Sequence, residues 1–315
     1  MSAPGDRSRA WEGEPSGRAF PERTKPAGRR FAVVGHVEWL DFAIVERLPR
    51  AGEIVTAREH LSVAAGGGAV AAVQMRKLAG RADFFTALGE DRLGARSLAE
   101  LRDEQQLAVH ATMHPREQRR AFTHLDANAE RTITVLGERL VPHGADPLPW
   151  ELLDSADGVY FTGGDAGAAR AARRARVLVA TARAPEGLLA AGVVPDVLIA
   201  SERDEKESAG VAAFGPGPRW TVLTRGADGG RWIGADGSSG TWAAATPPAP
   251  AVDAYGCGDS FAGALAYGLG AGLTLDEALA LAARCGAWCL TGRGPYAAQL
   301  TRERLDVRER GGAPR

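Results

Sequence analysis

Long apolar runs are missing from this chain. No stretch approaches the ~18 consecutive apolar residues needed to cross a bilayer, and the segment from Met1 to about Arg30 lacks the apolar core of a secretory signal. An excess of charge is missing too. Lys and Arg number 38 against 39 Asp and Glu, a formal net charge of -1, so no basic field suggests nucleic acid as a partner. Cysteine is scarce: Cys257, Cys285 and Cys289 cannot form a disulfide framework and imply a reducing compartment, with the cytoplasm as the expected home. Cys285 and Cys289 fall at i,i+4 on a predicted helix. With no His or Cys partners at metal-site spacing, they read as apolar packing. Two phosphate-binding signatures are absent as well. The first strand is not followed by GxGxxG, which argues against a dinucleotide enzyme, and no GxxxxGK[ST] supplies a Walker lysine.

What is present is glycine, 40 residues of it without periodic repetition, in a chain of 315 residues that can bury a substantial core. Phe31–Val37 reads as the first strand. Short alternating runs at Phe42–Val45, Ile54–Leu61, Val109–Met113, Ala121–Leu125 and Thr132–Leu136 read as antiparallel strands, with DANAE as a hairpin turn between the last two. Gly68–Leu78 and Gly94–Glu104 have helical spacing. From about residue 147 the texture changes: GVYFTGG, RVLVATA, DVLIAS and WTVLTRG are apolar runs between helical or loop segments, as in βα units of a parallel sheet. Small-residue helices follow at Gly258–Gly270 and Leu275–Leu290.

The nonapeptide DAYGCGDSF at Asp253–Phe261 carries the chemistry. Its Gly-Cys-Gly turn opens a helix, where unpaired N–H groups and the macrodipole both favour an anion. Asp259 follows at once and could take a proton from a bound hydroxyl. The plain alternative is a glycine turn with a capping acid. The second acid, the length of the following helix and the rest of the chain weigh against it.

DAYGCGDSF closely resembles the C-terminal signature of the PfkB/ribokinase family of sugar and nucleoside kinases, written DTxGAGD-x-F. LPRAGEIV at Leu48–Val55 resembles that family's LP-x-x-GE turn, and AAGGGAVAAVQMRKLAG with FFTALGEDRLG its N-terminal glycine signature. TVLTRGADGG near Trp220 is similar to its TLGxxG strand end, so the matches run in order over roughly residues 31–300. The resemblance implies an α/β fold, a ribokinase-like doubly wound three-layer sandwich with a small β-sheet lid. It implies one kinase domain over 31–304, between tails at 1–30 and 305–315 whose composition reads as disordered.

The family's roles carry over residue by residue. Asp259 becomes the catalytic base, and Gly256, Cys257 and Gly258 become the anion hole. Cys257 stands where Ala is usual, and its backbone N–H still donates. Asp253 resembles the acid that organises hydrated magnesium and phosphate; its plainer role is a turn acid bonding the next amides. An NxxE element falls at Ser201 and Asp204, both substituted, with Glu205 in reach if the loop shifts by one residue and surface charge as the rival reading. Thr224, Arg225, Gly226 and Gly229 resemble the nucleotide-lining strand end, where Arg225 either meets a phosphate or sits exposed. At the acceptor end the usual Asn and Asp fall at Glu38 and Leu40, beside Asp41; Glu38 is the stronger candidate, with His36 and Trp39 secondary. Gly66, Gly67 and Gly68 would let backbone approach a polyol, and the Asn often found after them falls at Val70. Arg119 and Arg120 either hold an anionic substrate or are surface charge.

The implied cofactors are ATP and Mg2+, with no metal ligated directly by protein and, in part of the family, a monovalent cation such as K+. The implied partner is a small sugar-like or nucleoside substrate, and a homodimer packed through the lids follows by analogy. The expected reaction is phosphoryl transfer from ATP to an alcohol. The alternative is a non-catalytic sugar- or nucleotide-binding regulator. The altered Ser201/Asp204 element favours it, and the intact Asp259 with its Gly-Cys-Gly turn opposes it.

Overall fold

Alternation in the first strand sets up the layers. Strand β1 (Phe31–Val34) turns Phe31 and Val33 into one apolar cluster and Ala32 and Val34 into another, so it must be covered on both faces. The computed structural model describes residues 28–126, 131–215 and 217–305. Residues 127–130 of the DANAE turn and nearly all of both predicted tails lie outside the described residues.

After β1 come β2 (Glu38–Ile44), β3 (Glu59–Ala65), α1 (Gly67–Ala79), β4 (Asp83–Gly89) and α2 (Arg92–Ala99), then β5 (Ala108–His114), β6 (Arg120–Leu125) and β7 (Arg131–Leu136). The second half alternates: β8 (Gly158–Phe161), α3 (Ala166–Arg173), β9 (Leu178–Thr181), α4 (Glu186–Ala191), β10 (Val197–Ser201), α5 (Glu205–Phe214) and β11 (Trp220–Thr224). An antiparallel hairpin, β12 (Gly230–Gly234) and β13 (Ser239–Trp242), precedes the closing helices α6 (Cys257–Gly270) and α7 (Leu275–Cys289).

The strands form a 9-stranded sheet in the order β13-β12-β11-β10-β9-β8-β1-β4-β5 and a 4-stranded sheet in the order β3-β2-β6-β7. Helices α1, α6 and α7 bury their small-residue faces against one side of the large sheet; α3 and α4, with α5 beside them, cover the other. From β1 the chain builds outward through β4 and β5, then returns to β8 and proceeds the opposite way to β11, every step parallel. The C-terminal ends therefore share one edge, and the reversal between β1 and β8 opens the crevice where such sheets bind ligands.

Several expected elements move. The first strand stops at Val34, and Gly35–Val37 form the link into β2. Ile54 is 99% exposed and outside any strand; the second lid strand starts at Glu59. Val109–Met113 is not a lid strand but part of β5, paired parallel with β4 at the edge of the large sheet. A half-covered edge strand alternates just as a lid strand does, so periodicity alone cannot separate them. The lid is also mixed, since β2 pairs parallel with β6. Strand β4, with all seven residues buried, hides in the sequence inside the FFTALGEDRLG motif.

Candidate active site

The C-terminal edge gathers one loop from each strand: His36 and Glu38 after β1, Thr162 after β8, Arg183 after β9, Ser201 and Asp204 at β10, and Thr224–Gly229 at β11. Helix α6 points its N-terminus at this edge. Gly256 is its N-cap at φ 80, a left-handed conformation that glycine adopts without strain, and no side chain caps the helix. The Ser260 amide reaches Gly256 O at 2.8 Å. Among the described residues, the amides of Gly258 and Asp259 meet no protein acceptor. Unpaired first-turn donors with the helix dipole behind them suit an anion.

Beside that turn lies a cavity of about 630 Å³, lined among others by Thr224, Gly226, Gly229, Trp242, Cys257 and Gly258. Its walls are mostly apolar, with Trp242 stacked on Phe261 at 5.8 Å between ring centroids. Three of the four residues expected at a nucleotide site line it. Arg225 does not: its guanidinium faces Glu202 at 3.7 Å, and its amide donates to Gly229 O.

Asp259 opens onto the other side. It sits in the first turn of α6, half-buried. Loss of solvent pushes its pKa up to about 6; Arg183 pulls it down, and Glu38 and Glu207 add to the rise. The glycine run lies against it. A Cβ on Gly67 would stand 2.9 Å from Asp259 Oδ1 and 3.3 Å from Thr162 Oγ1, so only glycine leaves the carboxylate its position. One residue earlier, Gly66 packs on the backbone of Glu38. Glu38, Gly66, Gly67 and Asp259, far apart in sequence, thus meet at one point. Gly68, the second residue of α1, is packed against His36 O and belongs to the frame.

Glu38 is held by Arg119, Nε to Oε1 at 2.6 Å, and His36 Nε2 lies 3.7 Å from the same oxygen. His36 is buried at 6% exposure, and burial, with Arg139 and Arg119 nearby, keeps its pKa well below the usual histidine value. It is neutral at physiological pH. Arg120 instead pairs with Asp41 at 2.8 Å, on the opposite face of β2 from Glu38. Trp39 is buried in the core beneath Arg96, and Leu40 is fully buried.

Asp253 and the β10 loop act differently from a simple ligand set. Asp253 is 1% exposed, and its two oxygens accept the amides of Tyr255 at 2.8 Å and Gly294 at 3.1 Å. This is the turn-acid geometry. Asp204 caps α5, accepting from Lys206 and Glu207 amides, and pairs with Arg183 at 2.7 Å. Arg183 also binds Glu207 at 2.5 Å, and Glu207 in turn accepts the Ser201 amide at 2.6 Å. Glu205, the alternative acid, begins α5 with no ion pair among the described residues. Arg183 and Glu207 were not legible as site residues: neither stands in a glycine-bounded motif, and only the meeting of β9 and β10 brings them to Asp259.

Cys257 contacts Cys289, and that contact together with burial pushes the Cys257 thiol up, away from nucleophilic use. Cys285 is buried, as apolar packing requires.

A parallel sheet with a lid, a helix N-terminus and a half-buried carboxylate at its switch point define the ribokinase class of α/β fold. Solved structures agree. A ribokinase of Arabidopsis thaliana complexed with ribose and ATP is similar at 22% identity and TM-score 0.72, covering 89% of this chain and 98% of that one. A Cryptococcus neoformans ribokinase in complex with ADP is similar at 20% identity and TM-score 0.69, with 89% and 100% covered. A microbiome-derived acarbose kinase matches at 20% identity and TM-score 0.74, with 89% and 99% covered. No curated protein sequence matches the chain. The pfkB family carbohydrate kinase profile matches residues 29–302, and the chain belongs to that family. It is a carbohydrate kinase by family.

Proposed function

We propose that this kinase transfers the terminal phosphoryl group of ATP to a hydroxyl of a small sugar-like or nucleoside acceptor, with Asp259 as the base. The position of Asp259 carries the reading: its carboxylate abuts Gly67 and the Glu38 loop on one side, while its own helix turn borders the apolar cavity on the other. The acceptor hydroxyl gives its proton to Asp259 as its oxygen bonds to the phosphorus, and the bond to the bridging oxygen of the departing diphosphate breaks. The free amides of Gly258 and Asp259 face the charge on the transferring group. A pKa near 6 leaves Asp259 ionised at neutral pH yet basic enough to take a proton. Asp253 fixes the turn that aims these amides.

The nucleotide bound by the Arabidopsis and Cryptococcus relatives supports ATP as the donor. Mg2+ fits as an ion riding on its phosphates and keeping several waters. Among the described residues, no three His, Cys, Asp or Glu side chains gather to hold a metal. Asp204 and Glu207 are the acids that would reach its water shell. When bound it neutralises phosphate charge. No helix among the described residues is long and apolar enough to cross a membrane. Exposed Ile133, Val135 and Leu136 on β7 support packing of two lids together.

The test is a phosphorylation screen of sugars, sugar phosphates and nucleosides, read by ATP consumption and by the mass of the acceptor. Acceptor-dependent ADP formation that Asp259→Asn abolishes is the expected result. Clear nucleotide and sugar binding without transfer would favour the regulator.

A further inference from the structure

Among the described residues, the return of the chain from the lid to the main sheet leaves one cation, Arg139, without an ion-pair partner. Arg139 follows Gly137, whose carbonyl accepts from Arg119 Nη1 at 3.3 Å. It precedes Val141, whose side chain packs beside Gly163, just past β8. The segment therefore bridges the Arg119 side of the lid and the strand end at which Thr162 stands beside Gly67 and Asp259. The other two arginines here are neutralised, Arg119 by Glu38 at 2.6 Å and Arg183 by Asp204 and Glu207 at 2.7 and 2.5 Å. Arg139, only partly exposed, forms no ion pair among the described residues.

A guanidinium withdrawn from water without a partner is costly. Burial and the neighbouring Arg119 already depress its affinity for its proton, and only Glu38 and Glu186 offset them from a distance. An anion delivered by a ligand would relieve that cost and would meet a planar fork suited to carboxylate or phosphate. His36 adds no charge, being held neutral beside the same two arginines.

We propose that the phosphoryl acceptor is itself an anion, a sugar acid or a sugar monophosphate. Its carboxylate or phosphate is held by Arg139, with Arg119 beside it, while a hydroxyl elsewhere on the molecule faces Asp259. The inference rests on the transferase function proposed above and narrows its substrate.

The experiment compares matched ligands on the full chain: gluconate against glucose, and fructose 6-phosphate against fructose. Binding is measured by calorimetry and transfer by acceptor mass. At least one anionic member should bind about 10-fold or more tighter than its neutral partner. Arg139→Gln should remove that advantage, a loss of about 10- to 100-fold, with ATP binding retained as the check on folding. Arg139→Lys, which keeps the charge without the fork, should recover part of it. Whether gluconate or the phosphate ester gains separates the two sources of anion. Equal binding of neutral and anionic partners, no binding of either anion, or an advantage that survives Arg139→Gln overturns the inference. Tight anion binding that Arg139→Gln removes, but without any transfer, keeps the anion site at Arg139 while removing the transferase reading and the acceptor role with it. Transfer to neutral sugars alone does the reverse.

Discussion

At the proposed nucleotide end of the crevice a ligand would meet backbone and small apolar side chains: the amides of Gly258 and Asp259, and a cavity walled in part by Ala244, Ala245, Ala283 and Ala287. At the proposed acceptor end it would meet charged side chains brought from separate segments, Glu38, Arg119 and Arg139, around the buried His36. The first end works through conformation, so a Cys in place of a small residue changes little as long as the turn persists. The second works through side-chain identity, so each substitution changes what can be bound. The reaction and the acceptor are thus specified by physically different means.

Asp259 joins the two ends, and its replacement should produce the largest effect. Asp259→Asn is expected to lower turnover by about 10²- to 10⁴-fold while ATP still binds by calorimetry. The same variant should be more stable at neutral pH by about 1–2 kcal/mol, since a desolvated carboxylate is removed. The sign follows from its raised folded pKa, about 6 against an ordinary 3.8. The folded state holds the extra proton between these values, so the contribution to stability is full at low pH and lost as pH rises through 6. Denaturant melts of both proteins at low and neutral pH would show the two curves diverging as pH rises.

Gly67→Ala tests the contact between the ends. With a Cβ 2.9 Å from Asp259 Oδ1, the base must shift, and kcat/KM should fall by about 10²-fold. Unchanged kinetics would place the base away from the glycine run. Arg183→Met should be milder. Removing the cation raises the Asp259 pKa further and moves the acidic limb of the rate profile to higher pH. It also leaves the buried Glu207 short of its partner, a loss of about 1–3 kcal/mol in a thermal melt, reduced because Arg183 is half exposed. The smallest effect belongs to Cys257→Ala. Turnover should change less than about threefold, since the free donors of the turn are the amides of Gly258 and Asp259 and side-chain substitutions of this kind stay within a fraction of a kcal/mol.

The same division explains what could be read from the residues alone. The Gly256–Asp259 turn, the glycine run that opens α1 and the strand end at Thr224–Gly229 are legible through their resemblance to family motifs in which glycine spacing fixes the backbone. The βα alternation after residue 147 was legible because a doubly covered sheet demands apolar runs. Arg183, Glu207 and Arg139 were not legible: they are charged residues in ordinary-looking loops, and only the strand order places them at one edge. Arg225 was drawn into the site by its neighbours in sequence, yet its side chain turns to Glu202. Strand β5 reads as antiparallel from its residues alone because alternation gives a face but not a partner.

The most direct measurement is kcat/KM against pH for the acceptor found by the screen, in the native enzyme and in Asp259→Asn. The native rate should fall with unit slope below about pH 6, where Asp259 takes up its proton, and the limb should be absent from the residual activity of the variant. A native profile flat well below that pH, or the same limb in Asp259→Asn, would contradict Asp259 as the base.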